Sequence, residues 1–318
     1  MKPFKKLRTA VIGVGAMGVN HARILSEISN LIAVVDKNKA QGLEIGRKYG
    51  AKWYDNHKEL IGKVDAVCIA VPTEYHFKVA SDLLDSQINM LVEKPIASNI
   101  LEAKKLINLS KKNDIILSVG HIERYNPIVQ SVKTALSDNS LGNLFSISAK
   151  RFSPNPVRIS DVGVILDLSV HDIDIMNYFF GEYPVSVYCN ASFRNENDNE
   201  SHVSILLDYG KGKVGLCETS WHSSVKVRDL VLLSDKYYMT LDLLNQCIKS
   251  PIAEDLEKNN QDLLSIAKCE PLRLELFDFL SSVEESKQPL VGGEDGLLAL
   301  KIATAALDSI KLNKVIKL

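Results

Sequence analysis

No run of 18 consecutive apolar residues occurs in the 318-residue chain, so a membrane-spanning helix of ordinary length is not expected. Cysteine is sparse and unpatterned. Cys68, Cys189, Cys217, Cys247 and Cys269 are odd in number and far apart, with no C-x-x-C pair, which argues against a disulfide framework and against the common zinc spacings. An excess of one charge is missing as well. Lys and Arg number 38 against 39 Asp and Glu, a balance that fits neither a nucleic-acid-binding nor a disordered chain. The basic start Lys2, Lys5, Lys6 and Arg8 reads as a solvated lead-in to a buried strand. The apolar run behind it has three glycines and no small-residue cleavage site, so no secretory signal is expected and the cytoplasm is the expected compartment. Internal repeats and low-complexity tracts are also lacking.

What is present is ordinary globular composition, 46% hydrophobic and 24% charged, at a length that predicts two domains. In the first third, short β-rich runs alternate with helical patterns: Thr9–Val14, Leu31–Val35, Val64–Ala70, Asn89–Val92 and Ile115–Val119 read as strands. Runs such as Ala66-Val67-Cys68-Ile69-Ala70 are apolar on both faces, as parallel strands covered by helices must be. The pattern predicts a doubly wound α/β domain of the Rossmann type. After Gly120 strands follow one another with period-2 alternation, at 144–150, 185–189, 203–207, 213–219, 227–233 and 237–241. They predict an α+β domain with a large, open-faced, mostly antiparallel sheet. Helices are expected at Pro127–Leu136, Val162–Phe180, Pro271–Lys287 and Asp295–Lys311, with Gly293-Glu294-Asp295-Gly296 as loop and N-cap. Arg194–Ser201 and Ala253–Leu264 read as loops or weak helix, and the domains as 1–121 and 122–318. An apolar face such as Val203, Ile205 and Leu207 can serve as core or as subunit interface, and a homo-oligomer, dimer or tetramer, is expected.

The strongest local signal is Gly13-Val14-Gly15-Ala16-Met17-Gly18, which follows a strand and opens a helix. Gly13 permits the tight turn, Gly15 lets the backbone approach a pyrophosphate, and Gly18 lets helix and strand pack closely. The next strand ends in Asp36, 18 residues beyond Gly18 (36 − 18), where a carboxylate accepts hydrogen bonds from the adenosine ribose and repels a 2′-phosphate. NAD is therefore the expected cofactor. Lys37 follows directly and leaves NADP as a second choice. Val71-Pro72-Thr73 with nearby His76, and Glu93-Lys94-Pro95, follow later strands and are expected to line the cofactor crevice, although His76 alone also reads as a helix-start residue. An ammonium such as that of Lys94 can hydrogen-bond a substrate hydroxyl and stabilise developing alkoxide charge. In the second domain Asp167 and His171 stand at i and i+4, where a carboxylate can orient an imidazole suited to proton abstraction, or where both can form an ordinary helical ion pair. No metal is expected, since His171, Asp172 and Asp174 lack a second histidine at ligand spacing.

G-V-G-A-M-G at Gly13–Gly18, E-K-P at Glu93–Pro95 and D-L-S-V-H-D at Asp167–Asp172, in this order on two differently patterned domains, resemble the glucose–fructose oxidoreductase, inositol dehydrogenase and rhizopine-catabolism family over nearly the whole chain. The resemblance implies reversible NAD-dependent oxidation of one sugar or cyclitol hydroxyl. Lys94 would hold that hydroxyl, His171 would act as acid or base, and Asp167 would orient the pair and help bind the sugar; whether Lys94 or His171 takes the proton stays open. It also implies that the peptide before Pro95 is often cis. Gly120–Pro127 and Arg158–Asp167 are similar to the branch that contains UDP-N-acetylglucosamine 3-dehydrogenases, with Glu270–Glu275 and Ser220–Arg228 in the same style. That branch implies a nucleotide sugar oxidised at C3, with Arg124, Tyr125, Asn126 and Arg158 able to grip diphosphate or sugar, or else to form a junction network. An inositol or free-sugar dehydrogenase, and a cofactor-binding regulator without chemistry, are the alternative readings that the family offers.

Overall fold

The computed structural model describes residues 3–154, 162–195, 198–251 and 267–318, which cluster into two compact units. The first comprises Met1–Ile122 and Glu270–Leu298, the second Glu123–Cys269 and Ala299–Leu318. The first unit is therefore discontinuous, where the sequence pattern suggested an unbroken 1–121.

In the first unit, strands β1 (Phe4–Ile12), β2 (Ser29–Val35), β3 (Lys52–Tyr54), β4 (Ala66–Ile69), β5 (Asn89–Val92) and β6 (Leu117–Val119) form a sheet in the order β3-β2-β1-β4-β5-β6, all pairs parallel. This is the doubly wound order, with its switch point between β1 and β4. Every residue of β4 is buried, as expected for a strand with helices on both faces. Lys5, Lys6 and Arg8 lie inside β1 rather than ahead of it, and Arg8 pairs with Asp65 at 2.6 Å. The edge strand β3 escapes sequence reading because three half-exposed residues are too few to alternate.

Helices α1 (Ala16–Ile28), α2 (Lys39–Tyr49), α3 (His76–Leu84) and α4 (Ile100–Lys112) connect these strands. Asn38 and Asn99 cap α2 and α4 by accepting the backbone N–H groups of Gln41 and Glu102. Helix α1 buries Gly18, His21, Ala22, Leu25 and Ile28, one face at helical spacing. What covers that face comes from far along the chain. Leu272, Leu276, Phe279 and Leu280 of a late helix share a cluster with Ile24, Leu25 and Ile28, and Phe277 meets Phe4 at 4.8 Å between ring centroids.

The second unit holds α5 (Pro127–Ser137), a π-helical turn (Ile165–Ser169), α6 (Val170–Phe180) and strands β7 (Leu144–Pro154), β8 (Ser186–Phe193), β9 (Glu200–Asp208), β10 (Val214–Ser220), β11 (His222–Ser234), β12 (Tyr238–Asp242), β13 (Cys247–Pro251) and β14 (Ile316–Lys317). The eight described strands run β13-β12-β11-β7-β10-β9-β8-β14, with β7–β10 the parallel pair and the rest antiparallel. Cys189, Ile205, Cys217, Ala149, Leu230 and Leu241 lie side by side on the covered face. The neighbouring row, Tyr188, Leu206, Leu216, Ser148, Val231 and Thr240, lies on the other face, where Leu206 and Leu216 are each 43% exposed. Val203, Ile205 and Leu207 are thus core, and the other face carries the residues adjacent to them in sequence, such as Leu206.

Of the late helices, α7 (Pro271–Glu285) and residues 293–298 of α8 (Gly293–Leu312) belong to the first unit. The stretch Gly293–Gly296, expected to be a loop, is the first turn of α8. A Cβ at Gly296 would stand 2.9 Å from Val119, so the glycine allows the helix to press on β6. Arg194 and Asn195 precede β9 as a bend, whereas Ala253–Leu264 lies outside the described residues.

Candidate active site

Gly13 ends β1 with φ +85°, and a Cβ there would meet Ala70 O at 2.7 Å. The β1–α1 turn needs this glycine. A Cβ at Gly18 would fall 1.8 Å from Gly13 O, so helix and turn touch there, whereas one at Gly15 would meet nothing within 4 Å. That open space adjoins the N-terminus of α1, which has no side-chain cap and no acidic residue in its first turn, formed by Ala16, Met17 and Gly18. Unsatisfied backbone N–H groups in such a place suit a diphosphate.

Asp36 is held on both sides. Its Oδ2 accepts the Val14 N–H at 2.8 Å and its Oδ1 the Asn38 N–H at 2.7 Å, which fixes the anion beside the glycine turn. A cavity of about 840 Å³ opens there, lined among others by Gly13, Gly15, Asp36, Lys37, Val71 and Pro72. These expected cofactor residues therefore share one crevice at the sheet's switch point, of the size and lining a dinucleotide requires. Thr73 begins a short 3-10 turn and accepts Ser98 Oγ at its carbonyl.

His76 opens α3, as the helix-start reading expects, and is buried with both ring nitrogens facing backbone carbonyls. Nδ1 lies 2.8 Å from Pro95 O and Nε2 2.9 Å from Val71 O. Burial pulls its pKa down, against the two carbonyls and Glu93, which raise it. Its ring therefore joins two loops instead of facing the cavity.

The Lys94–Pro95 peptide is cis. Just before it, the buried Glu93 accepts His21 Nε2 of α1 at 2.7 Å on one oxygen and the Lys94 N–H at 3.3 Å on the other. Burial alone would raise the Glu93 carboxyl; the His21 hydrogen bond and the charges of His21 and Lys94 outweigh it and keep the group below the usual range. Beneath this pair lies Glu275 of α7, fully buried, with neither carboxyl oxygen hydrogen-bonded among the described residues. Burial, then the charges of Glu93 and Asp278, lift its pKa well above the carboxylate range.

In the second unit, Asp167 sits in the π turn and His171 in the first turn of α6, both half-buried. Regular helix was expected from Val162 onward. Instead the helical path starts at Val164 and runs through a π turn, a feature frequent at functional sites, with Ile165 N–H bonded to the buried Glu200 carboxylate at 3.0 Å. Asp172 faces the sheet, where the guanidinium of Arg151, 2% exposed, contacts both its oxygens at 2.7–3.1 Å and also reaches Glu123 at 2.9 Å. Burial raises the Asp172 pKa, and Arg151 pulls against it. Glu123 also accepts Arg228 at 2.9 Å.

Three residues expected to grip substrate are engaged elsewhere. Arg124 makes a buried two-pronged pair with Asp174, 2.7 Å on each arm, and lies over the Tyr178 ring. Tyr125 is buried, and Asn126 caps α5 through Ile128 N–H while donating to Leu243 O. These bonds of Arg124 and Asn126 all lie within the second unit. Arg158 lies outside the described residues. His21, Glu123, Arg151 and Glu200 were not singled out from sequence, because each meets a partner tens of residues away, and Glu275 was not because its burial is set by the fold. Among the described residues no cluster of three or more potential metal ligands occurs.

Residues 7–121 match the family model described as "Oxidoreductase family, NAD-binding Rossmann fold", and residues 129–235 match the "GFO/IDH/MocA C-terminal domain". The chain belongs to the GFO/IDH/MocA family. It is 27% identical to UDP-N-acetylglucosamine 3-dehydrogenase of Acidithiobacillus ferrooxidans over 95% of both chains, and a solved structure of that enzyme superposes with TM-score 0.86 over 96% of this chain and 98% of the other. Myo-inositol 2-dehydrogenase of Thermotoga maritima is 25% identical over 98% of both. GenD2 from gentamicin A biosynthesis, solved with NAD, shares the fold at TM-score 0.87 and 19% identity, covering 100% of this chain and 98% of that one. As a GFO/IDH/MocA protein the chain is an NAD-binding oxidoreductase, and the open space at Gly15 together with the fixed Asp36 fits that cofactor.

Proposed function

We propose that this GFO/IDH/MocA protein oxidises the C3 hydroxyl of UDP-N-acetylglucosamine to a ketone. The observation that carries the reading is the similarity to a UDP-N-acetylglucosamine 3-dehydrogenase over 95% of both chains, alongside Lys94, Asp167 and His171 in the E-K-P and D-L-S-V-H-D motifs. Bound NAD supplies the hydride acceptor. The chain's own part is to hold the hydroxyl at the Lys94 ammonium, to take its proton at His171 or Lys94, and to orient the sugar and the imidazole through Asp167. The proposal places the protein in the cytoplasm, self-associated through the sheet face that carries Leu206 and Leu216.

A second reading, an inositol or free-sugar dehydrogenase, gains from one observation. Arg124, an argument for a diphosphate, is paired with Asp174, and an inositol dehydrogenase matches over 98% of both chains. Incubating the protein with NAD and a panel of UDP-sugars, inositols and free sugars, with an aminotransferase to draw off ketone, separates the two. NADH formation with inositol and none with UDP-N-acetylglucosamine refutes the first. Lys94→Ala abolishes turnover in either enzyme reading while NAD binding persists; unchanged turnover removes Lys94 from the chemistry.

A further inference from the structure

Lys94 follows a residue whose side chain is anchored and precedes one whose carbonyl is anchored. Glu93 is fixed by His21 of α1 and accepts the Lys94 N–H; Pro95 presents its carbonyl to His76 Nδ1 at 2.8 Å. The other His76 nitrogen is 2.9 Å from Val71 O, in the loop after β4 that lines the dinucleotide cavity. One buried ring thus touches two loops at the carboxyl edge of the sheet; a neutral ring donates to one of these carbonyls and a protonated ring to both, and among the described residues they are the groups its nitrogens meet. We propose that His76 is a positioning residue for Lys94, a clamp that ties the Lys94–Pro95 turn to the Val71–Pro72 loop, so that the ammonium is held in register with the crevice.

The argument rests on the reading of Lys94 as the catalytic lysine, but the clamp itself can be tested without substrate. Burial matters because a backbone carbonyl shut away from water loses free energy when its donor is removed, so the loops must shift to find new partners. A lysine displaced by about 1 Å is enough to lose up to about a hundredfold in rate. Cofactor affinity, set mainly by the glycine turn and Asp36, is left nearly unchanged.

His76→Phe keeps a ring and removes both nitrogens, whereas His76→Gln restores N–H donors. Hydrogen exchange in the apoprotein is expected to quicken in His76→Phe in the two peptides that cover 71–76 and 93–99, and to return toward wild type in His76→Gln. With the sugar that the wild type oxidises, kcat falls about 10- to 100-fold in His76→Phe. KM for NAD stays within about threefold, and His76→Gln recovers much of kcat. Unchanged exchange in either loop, an unchanged kcat, or a loss that the glutamine does not recover overturns the clamp. A wild type that oxidises no sugar refutes the functional reading instead, and the exchange measurement still decides the clamp.

Discussion

A Glu275→Gln substitution exchanges a titratable carboxyl for a neutral amide of nearly the same shape, at a position in the apolar row Leu272, Leu276, Phe279 of α7 that is 0% exposed. Burial and the facing charges of Glu93 and Asp278 raise the folded-state pKa well above 4.5. Between the unfolded and folded pKa values the native protein holds a proton that the unfolded chain has released. Native protons then exceed unfolded protons, and stability falls as pH rises through that window, by up to about 1.4 kcal/mol per pH unit. The glutamine variant lacks this slope. It should match wild type to within about 1 kcal/mol near the unfolded-state pKa and pull ahead as pH rises from there toward the raised folded-state value, each kcal/mol raising the unfolding midpoint by about 2–4 °C. Glu275→Leu also removes two carboxyl oxygens without partners, which adds about 1–3 kcal/mol at every pH. Calorimetry of the three proteins at four pH values measures both effects. A difference between wild type and Glu275→Gln that does not change with pH refutes the reasoning, as does a glutamine variant less stable throughout.

Asp36→Ser removes the fixed anion at the ribose position, and the ratio of kcat/KM for NADP to that for NAD should rise about 10-fold or more, since specificity here rests on repulsion; steady-state kinetics with both cofactors checks it. Arg151→Met leaves the buried Asp172 without its cation and Glu123 with Arg228 alone, and should cost about 3–5 kcal/mol by denaturant unfolding. The proposed self-association through the open sheet face predicts an oligomer for the wild type and a monomer for Leu206→Glu in sedimentation runs, with the unfolding midpoint of the variant's own fold within about 2 °C.

The parallel sheet was legible because buried strands are written as continuous apolar runs and the glycine turn has a fixed spacing to Asp36. The open sheet was legible from its alternation, but not which face is covered: Val203, Ile205 and Leu207 form one row and Ser204 and Leu206 the other, and only the helices packed on the sheet decide. Lys94, Asp167 and His171 were visible because each lies in a contiguous motif. The pairing of Arg124 with Asp174, 50 residues away, was not legible, because a guanidinium looks the same in sequence whether it awaits a phosphate or has found a carboxylate. His76 opens α3, as the helix-start reading has it, but its contact with the Pro95 carbonyl, set by a turn 19 residues further on, was not legible.

The return of α7 to the first unit sets an order of events during synthesis. Helix α1 ends at Ile28 and its cover begins at Pro271. At about 5–20 residues per second, the roughly 240 residues between them keep the apolar side of α1 exposed for about 10–50 s. The nucleotide-binding unit is therefore begun long before it can be sealed. The nascent chain would need shelter for Ile24, Leu25 and Ile28 until α7 has left the ribosome, and a fragment cut after residue 122 would keep that sticky surface permanently.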